Sequence, residues 1–331
     1  MINDDAPLLG GMPAAHCAIV RAGTSSVVVL DGRTIRPGEA GKKEVLRIIL
    51  GQDFQGGLGG KTSQDNKAAL AWPADKRGRF RFRFLQVIPH SRKVLPMECS
   101  NAAAASALLP QLVRGVSPEH PVIHTRNLST GQPMELYPEI VRGVPRSCGI
   151  RFLVRPADRQ ALRGFGRPFE LKIGRRKLRC NPVLRGNLFL FTEIDPEEMT
   201  EEIMAGIERA GMRAARKSGF QPPSGYHPKV VPFQVLERGE KSAVKAASFY
   251  HGERHRSMPG SAAMALTGFL ETKLGSVDQI TCCRWKVHHP SGEFEVRLGF
   301  HRKQSEIEWA EFTTPVHLIG WGAAALPWRR G

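Results

Sequence analysis

The sequence predicts an α+β protein of two pseudo-symmetric domains, each with strands wrapped around a central helix. Short strand-like runs separated by turn residues dominate its 331 residues. Helical runs are few. Two of them, "CSNAAAASALLPQLV" and "SAAMALTGFLETKLG", are alanine-rich, apolar on every side and flanked by strands, and a helix with no polar face belongs in a core.

In the first half, "HCAIVRAG" and "SSVVVLDG" read as strands, "KKEVLRIILG" as a helix and "RFRFRFLQVIP" as a strand. The first alanine-rich helix is expected to begin near Ser100 and to end between Pro110 and Arg114, and "PVIHTR" and "GIRFLVRP" follow it as strands. The second half repeats the plan. "PFELKIG", "IGRRKLRC" and "NLFLFTEI" precede a helix over "DPEEMTEEIMAGIERAGMRAARKSG", with Asp195 as its cap, Pro196 in its first turn, acids early and bases late. "KVVPFQVL" and "AVKAASFY" lead to the second alanine-rich helix, and "QITCCRWKVHH" and "EFEVRLGF" follow it. This weak duplication sets the expected domains: 1–164 together with the tail 309–331, and 165–308. Two such units face to face would bring two helix N-termini to one cleft, a geometry that grips an anion.

The net charge of +17 is compatible with nucleic acid, an acidic membrane surface or a small anionic substrate. The basic residues are spread singly, aromatic residues are few, and no zinc-finger, RRM or KH pattern occurs, so a nucleic-acid partner is not expected. No apolar run approaches the roughly 20 residues of a membrane helix, and the acidic start "MINDD" lacks the plan of a signal peptide. The six cysteines are scattered without a CxxC, which suggests a reducing, cytoplasmic setting. His251, His255 and His288 lack carboxylates at ligand spacing, so no metal is expected.

The chemistry-bearing residues cluster in short motifs. Cys99 stands where the first alanine-rich helix starts. The first N–H groups of a helix lack internal partners and that end is partly positive, which attracts anions and favours a thiolate. Cys99 is thus a candidate proton-transfer group, although free cysteine is also an ordinary core residue. In "GLGGKTSQDNKAAL", Gly59, Gly60, Thr62 and Ser63 can form a nest of donors beside Lys67, and the spacing is not that of a nucleotide-binding P-loop. Arg21, Thr24 and Ser25 in "RAGTSS" either hold a carboxylate or make a strand-end turn. Ser100 and Asn101 either cap a helix or touch substrate. Thr267 and Gly268 either form the mouth of the second core helix or pack within it. His289 and Ser291 in "HPSG" either meet substrate or build a hairpin turn.

Taken together, "RAGTSS", "GLGGKTSQDNKAAL", "CSN" at Cys99, "LTG" at Leu266 and "HPSG" at His289 resemble, in order and spacing, the motifs of the PrpF-type 2-methylaconitate cis–trans isomerases. That family has the diaminopimelate-epimerase-like fold. The resemblance implies Cys99 and Lys67 as an acid/base pair and proton transfer without a cofactor, next to a carboxylate or a conjugated alkene. Ser26, Lys61 and Asn66 replace the family's lysine, alanine and serine. "TPVH" from Thr314 replaces its arginine-rich segment, and a histidine before the second-half "TG" is missing. These departures imply a substrate other than 2-methylaconitate and less charged. The expected partner is a small anionic carboxylate substrate, with no membrane, in a chain that can form a homodimer. Two alternatives stay open: an amino-acid epimerase on the same fold, which normally uses a cysteine at each helix mouth, and a non-catalytic member that binds an anion or nucleic acid.

Overall fold

The structure, a computed structural model, describes residues 8–9, 12–23, 25–51, 57–60, 64–73, 79–89, 91–107, 122–142, 144–154, 167–173, 176–239, 241–274, 282–300 and 307–325. The chain divides into a first unit, residues 1–150 with 313–331, and a second unit, residues 151–312. The boundary expected at 164/165 falls in 155–166, outside the described residues.

The first unit contains β1 (Leu8–Leu9), β2 (Met12–Ala22), β3 (Ser25–Asp31), α1 (Gly38–Leu50), β4 (Lys67–Trp72), β5 (Phe80–Ile88), β6 (Lys93–Pro96), α2 (Ser100–Ser106), β7 (Ile123–Asn127), β8 (Pro133–Val141) and most of β9 (Val144–Leu153). Strands β2 and β3 form an antiparallel hairpin, and β4 lies parallel to β3. Next come β5, antiparallel to β4, and β7, parallel to β5. A parallel neighbour needs a crossover, and helices α1 and α2 lie in those two connections. The sheet's two faces have separate covers. Val28, Leu30, Ala68, Leu70, Leu85 and Val87 point to the side where α1 packs with Val45, Ile48 and Ile49. Helix α2 packs on β2 to β5, with Ala102, Ala103, Ala104 and Ala105 fully buried. Alanine suits that place because it is the best helix former and lets strands approach closely.

The second unit contains β10 (Phe169–Ile173), β11 (Arg176–Arg185), β12 (Asn187–Glu193), a 3-10 turn (Pro196–Glu198), α3 (Glu201–Lys217), β13 (Lys229–Glu237), β14 (Lys241–Ala246), β15 (Phe249–Tyr250), β16 (Glu253–Arg254), α4 (Gly260–Leu274), β17 (Cys282–His289), β18 (Gly292–Phe300) and the first part of β19 (Ile307–Ala325). Its topology repeats the first: a β11/β12 hairpin, β13 parallel to β12, β14 antiparallel to β13, and β17 parallel to β14. Amphipathic α3 packs on Leu188, Leu190 and Val230, and apolar α4 packs on β11, β12 and β18. One expected helix start moves. Asp195 caps only the 3-10 turn, and α3 begins at Glu201, where Thr200 Oγ1 accepts the Ile203 N–H at 3.2 Å.

Strand β19 crosses the unit boundary, so the tail joins the first unit from Thr313 rather than from 309; its later part lies antiparallel to β2. Among the described residues no helix is long and apolar enough to cross a membrane.

Candidate functional site

The first unit gathers polar groups where β3 and β4 start and α2 begins. Ser25 opens β3 and Lys67 opens β4; Ser25 is 2% exposed and Lys67 5%. The parallel register sets Lys67 opposite Val27, so Lys67 and Ser25 share one face of the sheet. Lys67 Nζ donates to Ser25 Oγ at 2.6 Å, and Asn101 Nδ2, from the first turn of α2, donates to the same oxygen at 3.1 Å. A hydroxyl has two lone pairs and one proton. Both lone pairs of Ser25 are taken, so its proton is left to donate, and no described residue receives it.

Cys99 is the N-cap of α2. Its backbone is extended, its carbonyl accepts the Ala103 N–H at 3.2 Å, and its side chain makes no capping hydrogen bond. The helix thus starts at Ser100 with the thiol, not a hydroxyl, at its cap. The segment before Cys99 is pinned by residues the sequence did not single out. Asn127 Nδ2 donates to Met97 O at 2.9 Å, and Thr130 Oγ1 donates to the buried Glu98 carboxylate. The visible signal for these residues is the turn sequence "NLSTG", in which Asn127 Oδ1 accepts the Ser129 N–H at 3.0 Å. Burial pushes the thiols of Cys17, Cys148 and Cys180 up, Cys148 to about 12 and Cys180 to about 11, which makes them inert core groups.

Two glycine positions shape the cluster. Gly23, at the β2/β3 turn, has φ +57°, and a Cβ there would lie 3.2 Å from Asn101 Nδ2. At Gly59 a Cβ would come within 2.3 Å of Asn66 Oδ1. Of the residues expected to form an anion nest, Gly59 has its N–H spent on Ile49 O at 2.7 Å, closing the end of α1, and Gly60 O accepts Asn66 Nδ2 at 2.9 Å. The glycine pair therefore braces the chain leading into Lys67. Thr24, Thr62 and Ser63 lie outside the described residues. Arg21 is not brought to the cluster. It pairs with Ser26 and His317 and is exposed, whereas its neighbour Ala22 pairs with Ser25, so Arg21 points from the opposite face.

In the second unit, α4 starts at Gly260, with Pro259 O accepting the N–H groups of Ala262 and Ala263 at 2.9 Å each. Thr267 and Gly268, expected at the helix mouth, lie in mid-helix. Thr267 is fully buried with its hydroxyl bonded to Ala263 O at 3.0 Å, and Gly268 O accepts from Thr272 Oγ1 at 2.7 Å. The carbonyl that opens α2 is Cys99's and the one that opens α4 is Pro259's, so the second unit has no thiol at the equivalent position. A second equivalence lies in strand register, which no local sequence pattern encodes. Lys229 opens β13 opposite Phe189, the third residue of β12, as Lys67 opens β4 opposite Val27, the third residue of β3. Lys229 is 8% exposed, with Nζ 5.8 Å from the Phe189 ring centroid.

His289 ends β17 and is 8% exposed. "HPSG" does make the β17/β18 turn, with His289 opposite Gly292. The Ser291 N–H donates to His289 Nδ1 at 3.2 Å and Ser291 Oγ lies 2.8 Å from it. Nδ1 is therefore the acceptor, and Nε2 carries the proton with no partner among the described residues. Burial, then the charge of Arg254, pushes the His289 pKa down to about 4. The imidazole is neutral near pH 7 and offers a buried donor. Among the described residues no three His, Cys, Asp or Glu side chains form a metal-holding group.

No family model matches the sequence, and no curated protein matches it either. Solved structures do match. A methylitaconate-delta-isomerase aligns with TM-score 0.65 at 15% identity, over 95% of this chain and 96% of that one. A hydroxyproline epimerase from Agrobacterium vitis, with bound trans-4-OH-L-proline, aligns with TM-score 0.62 at 14% identity over 95% and 93%. A probable proline racemase from Agrobacterium radiobacter K84, with bound carbonate, aligns with TM-score 0.61 at 13% identity over 95% and 93%. The chain therefore has the diaminopimelate-epimerase-like α+β fold. Isomerases and epimerases share that fold with it.

Proposed function

We propose that the protein is a cofactor-independent isomerase, a divergent PrpF-type member, that moves a proton in a small unsaturated carboxylate, with Cys99 and Lys67 as the acid/base pair. The observation that carries this reading is the shared hydroxyl: Ser25 Oγ ties the Lys67 ammonium to Asn101, two residues after Cys99. In the proposed reaction one of the pair takes a C–H proton, and the electron pair spreads through the alkene onto the carboxylate oxygens. The other group delivers a proton to the far carbon, so the double bond moves or its geometry inverts with no net oxidation. The Ser25 proton and the remaining Lys67 N–H bonds are preorganised donors for the charge that builds on the carboxylate.

An epimerase that works with a thiol at both helix starts is disfavoured because Pro259 occupies the second one. Arg21 points away from the cluster, which favours a mono- or dicarboxylate over a tricarboxylate. The test is turnover in D2O with a panel of unsaturated acids. Isomerisation with deuterium at the carbon that gains the proton, lost in Cys99→Ala and Lys67→Met, is expected. Folded protein that neither isomerises these acids nor exchanges their allylic protons would overturn the reading.

A further inference from the structure

The first unit carries an arginine cluster with no counter-charge among the described residues, on the sheet face opposite Lys67. Strand β5 reads "FRFRF": Phe80, Phe82 and Phe84 are buried, while Arg81 and Arg83 alternate to the other side. The register sets Arg81 opposite Arg126 on parallel β7 and opposite Trp72 on antiparallel β4, so the three share one rung of the sheet and one face. Arg81 and Arg126 are exposed. Like charges directly opposite on neighbouring strands are destabilising. Among the described residues, Arg81, Arg83 and Arg126 make no hydrogen bond and no ion pair. The acid nearest along the register, Glu135 on β8, is engaged by Tyr137 at 2.7 Å and faces His124 at 3.7 Å.

The second unit supplies the contrast. Arg284 and Arg297 also stand directly opposite, on β17 and β18. There Glu295 lies between them, at 3.9 Å and 3.8 Å, and Glu311 pairs with Arg297 at 2.8 Å. The cross-strand arginine pair thus has an internal counter-charge in the second unit and, among the described residues, none in the first. Trp72, beside Arg81, is half-buried and lies against Gly32, where a Cβ would come within 2.3 Å of its ring. That contact presents a fixed aromatic platform next to the cations.

We propose that this face binds single-stranded nucleic acid, with phosphates on Arg81, Arg83 and Arg126 and a base stacked on Trp72. Guanidinium groups match phosphate by paired hydrogen bonds, and a cationic stripe beside an aromatic platform is how single strands are held without sequence preference. The net charge of +17 assists approach to such a polyanion. The sequence did not point here because Arg126 reaches Arg81 only through the β5–β7 register. The proposal does not rest on the isomerase reading, since the two faces are separate.

The test is fluorescence anisotropy of the full chain with a labelled oligothymidylate across a salt series. Three neutralised phosphates give a slope of log K against log salt of about −2. Arg81→Glu/Arg83→Glu/Arg126→Glu is expected to weaken binding at least tenfold and to flatten the slope. Trp72→Leu is expected to weaken it about 5-fold or more, the scale of one lost base stack. The control triple Arg209→Glu/Arg213→Glu/Arg216→Glu, of equal charge change on exposed positions of α3, should leave binding within about twofold. Equal loss in both triples would overturn the site in favour of net charge alone. Tighter binding of polyglutamate than of the oligonucleotide, or no effect of Trp72→Leu, would overturn the nucleic-acid assignment.

Discussion

Lys67 Nζ donates to Ser25 Oγ at 2.6 Å, joining the first residues of two parallel strands that lie 42 positions apart in sequence. The same oxygen receives Asn101, so one hydroxyl fixes both the ammonium and the first turn of α2. A hydrogen bond to a charged group is worth about 1.5–3 kcal/mol, so Ser25→Ala should lower kcat/KM about 10- to 100-fold. Read as unfolding free energy, the same change in a Lys67→Met background should cost almost nothing more, because the two residues act as one unit. Independent, additive losses in that double-mutant cycle would show that the bond is incidental.

Cys99 occupies an N-cap without capping it. Serine is a favoured residue there and its oxygen can accept an N–H of the first turn. Cys99→Ser should therefore abolish turnover and raise the thermal midpoint by about 1–3 °C. Cys99→Ala should abolish turnover with the midpoint nearly unchanged, and single Ser replacements of Cys17, Cys148 and Cys180 should keep activity within a few-fold. Full activity in either Cys99 variant would remove the thiol from the mechanism.

What was readable in the sequence follows from what each signal depends on. Aromatic and β-branched runs such as "NLFLFTEI" and "SSVVVLDG" became β12 and β3 because they suit a pleated, half-buried surface. "KAALAW" carries no strand signal, since alanine is a weak strand former, so the local pattern sets Lys67 beside a turn rather than at the start of β4. Strand β19 shows no continuous strand pattern because Pro315, Gly320 and Gly322 interrupt it. The site residues named by local chemistry, Cys99, Ser100 and Asn101, stand where α2 begins. Those named by tripeptide likeness fared differently: Thr267 sits in mid-helix because Pro259, not the "TG", sets where α4 starts. Lys229 and the Arg81–Arg126 pair depend on strand register, which no local pattern encodes.

His289 should control part of the acid sensitivity. Its pKa is pushed down to about 4, below the usual 6.5, chiefly by burial. Between those values the unfolded chain binds a proton that the folded protein does not, so stability rises with pH through this window. The contribution is complete above about pH 6.5 and is lost as pH falls toward 4. Denaturant unfolding from pH 4 to 7 should therefore show a shallower slope in His289→Gln than in the parent. Identical pH dependence in the two proteins would place the sensitivity elsewhere.

Gly23 links backbone conformation to the site. With φ +57° it sits where a side chain costs about 1–2 kcal/mol, and a Cβ there would lie 3.2 Å from Asn101 Nδ2 and 3.0 Å from Thr314 Oγ1. Gly23→Ala should therefore lower stability by about that amount and push the Asn101 amide off Ser25. With one lone pair released, the Ser25 proton is no longer held in one direction, and kcat/KM should fall about tenfold. Asn101→Ala should give the same loss of activity without the backbone strain. The decisive comparison is the double variant. Gly23→Ala/Asn101→Ala should be no slower than Asn101→Ala, because the turn acts on catalysis only through that amide. A further tenfold drop in the double variant would mean that Gly23 shapes the site by another route and would sink the linkage.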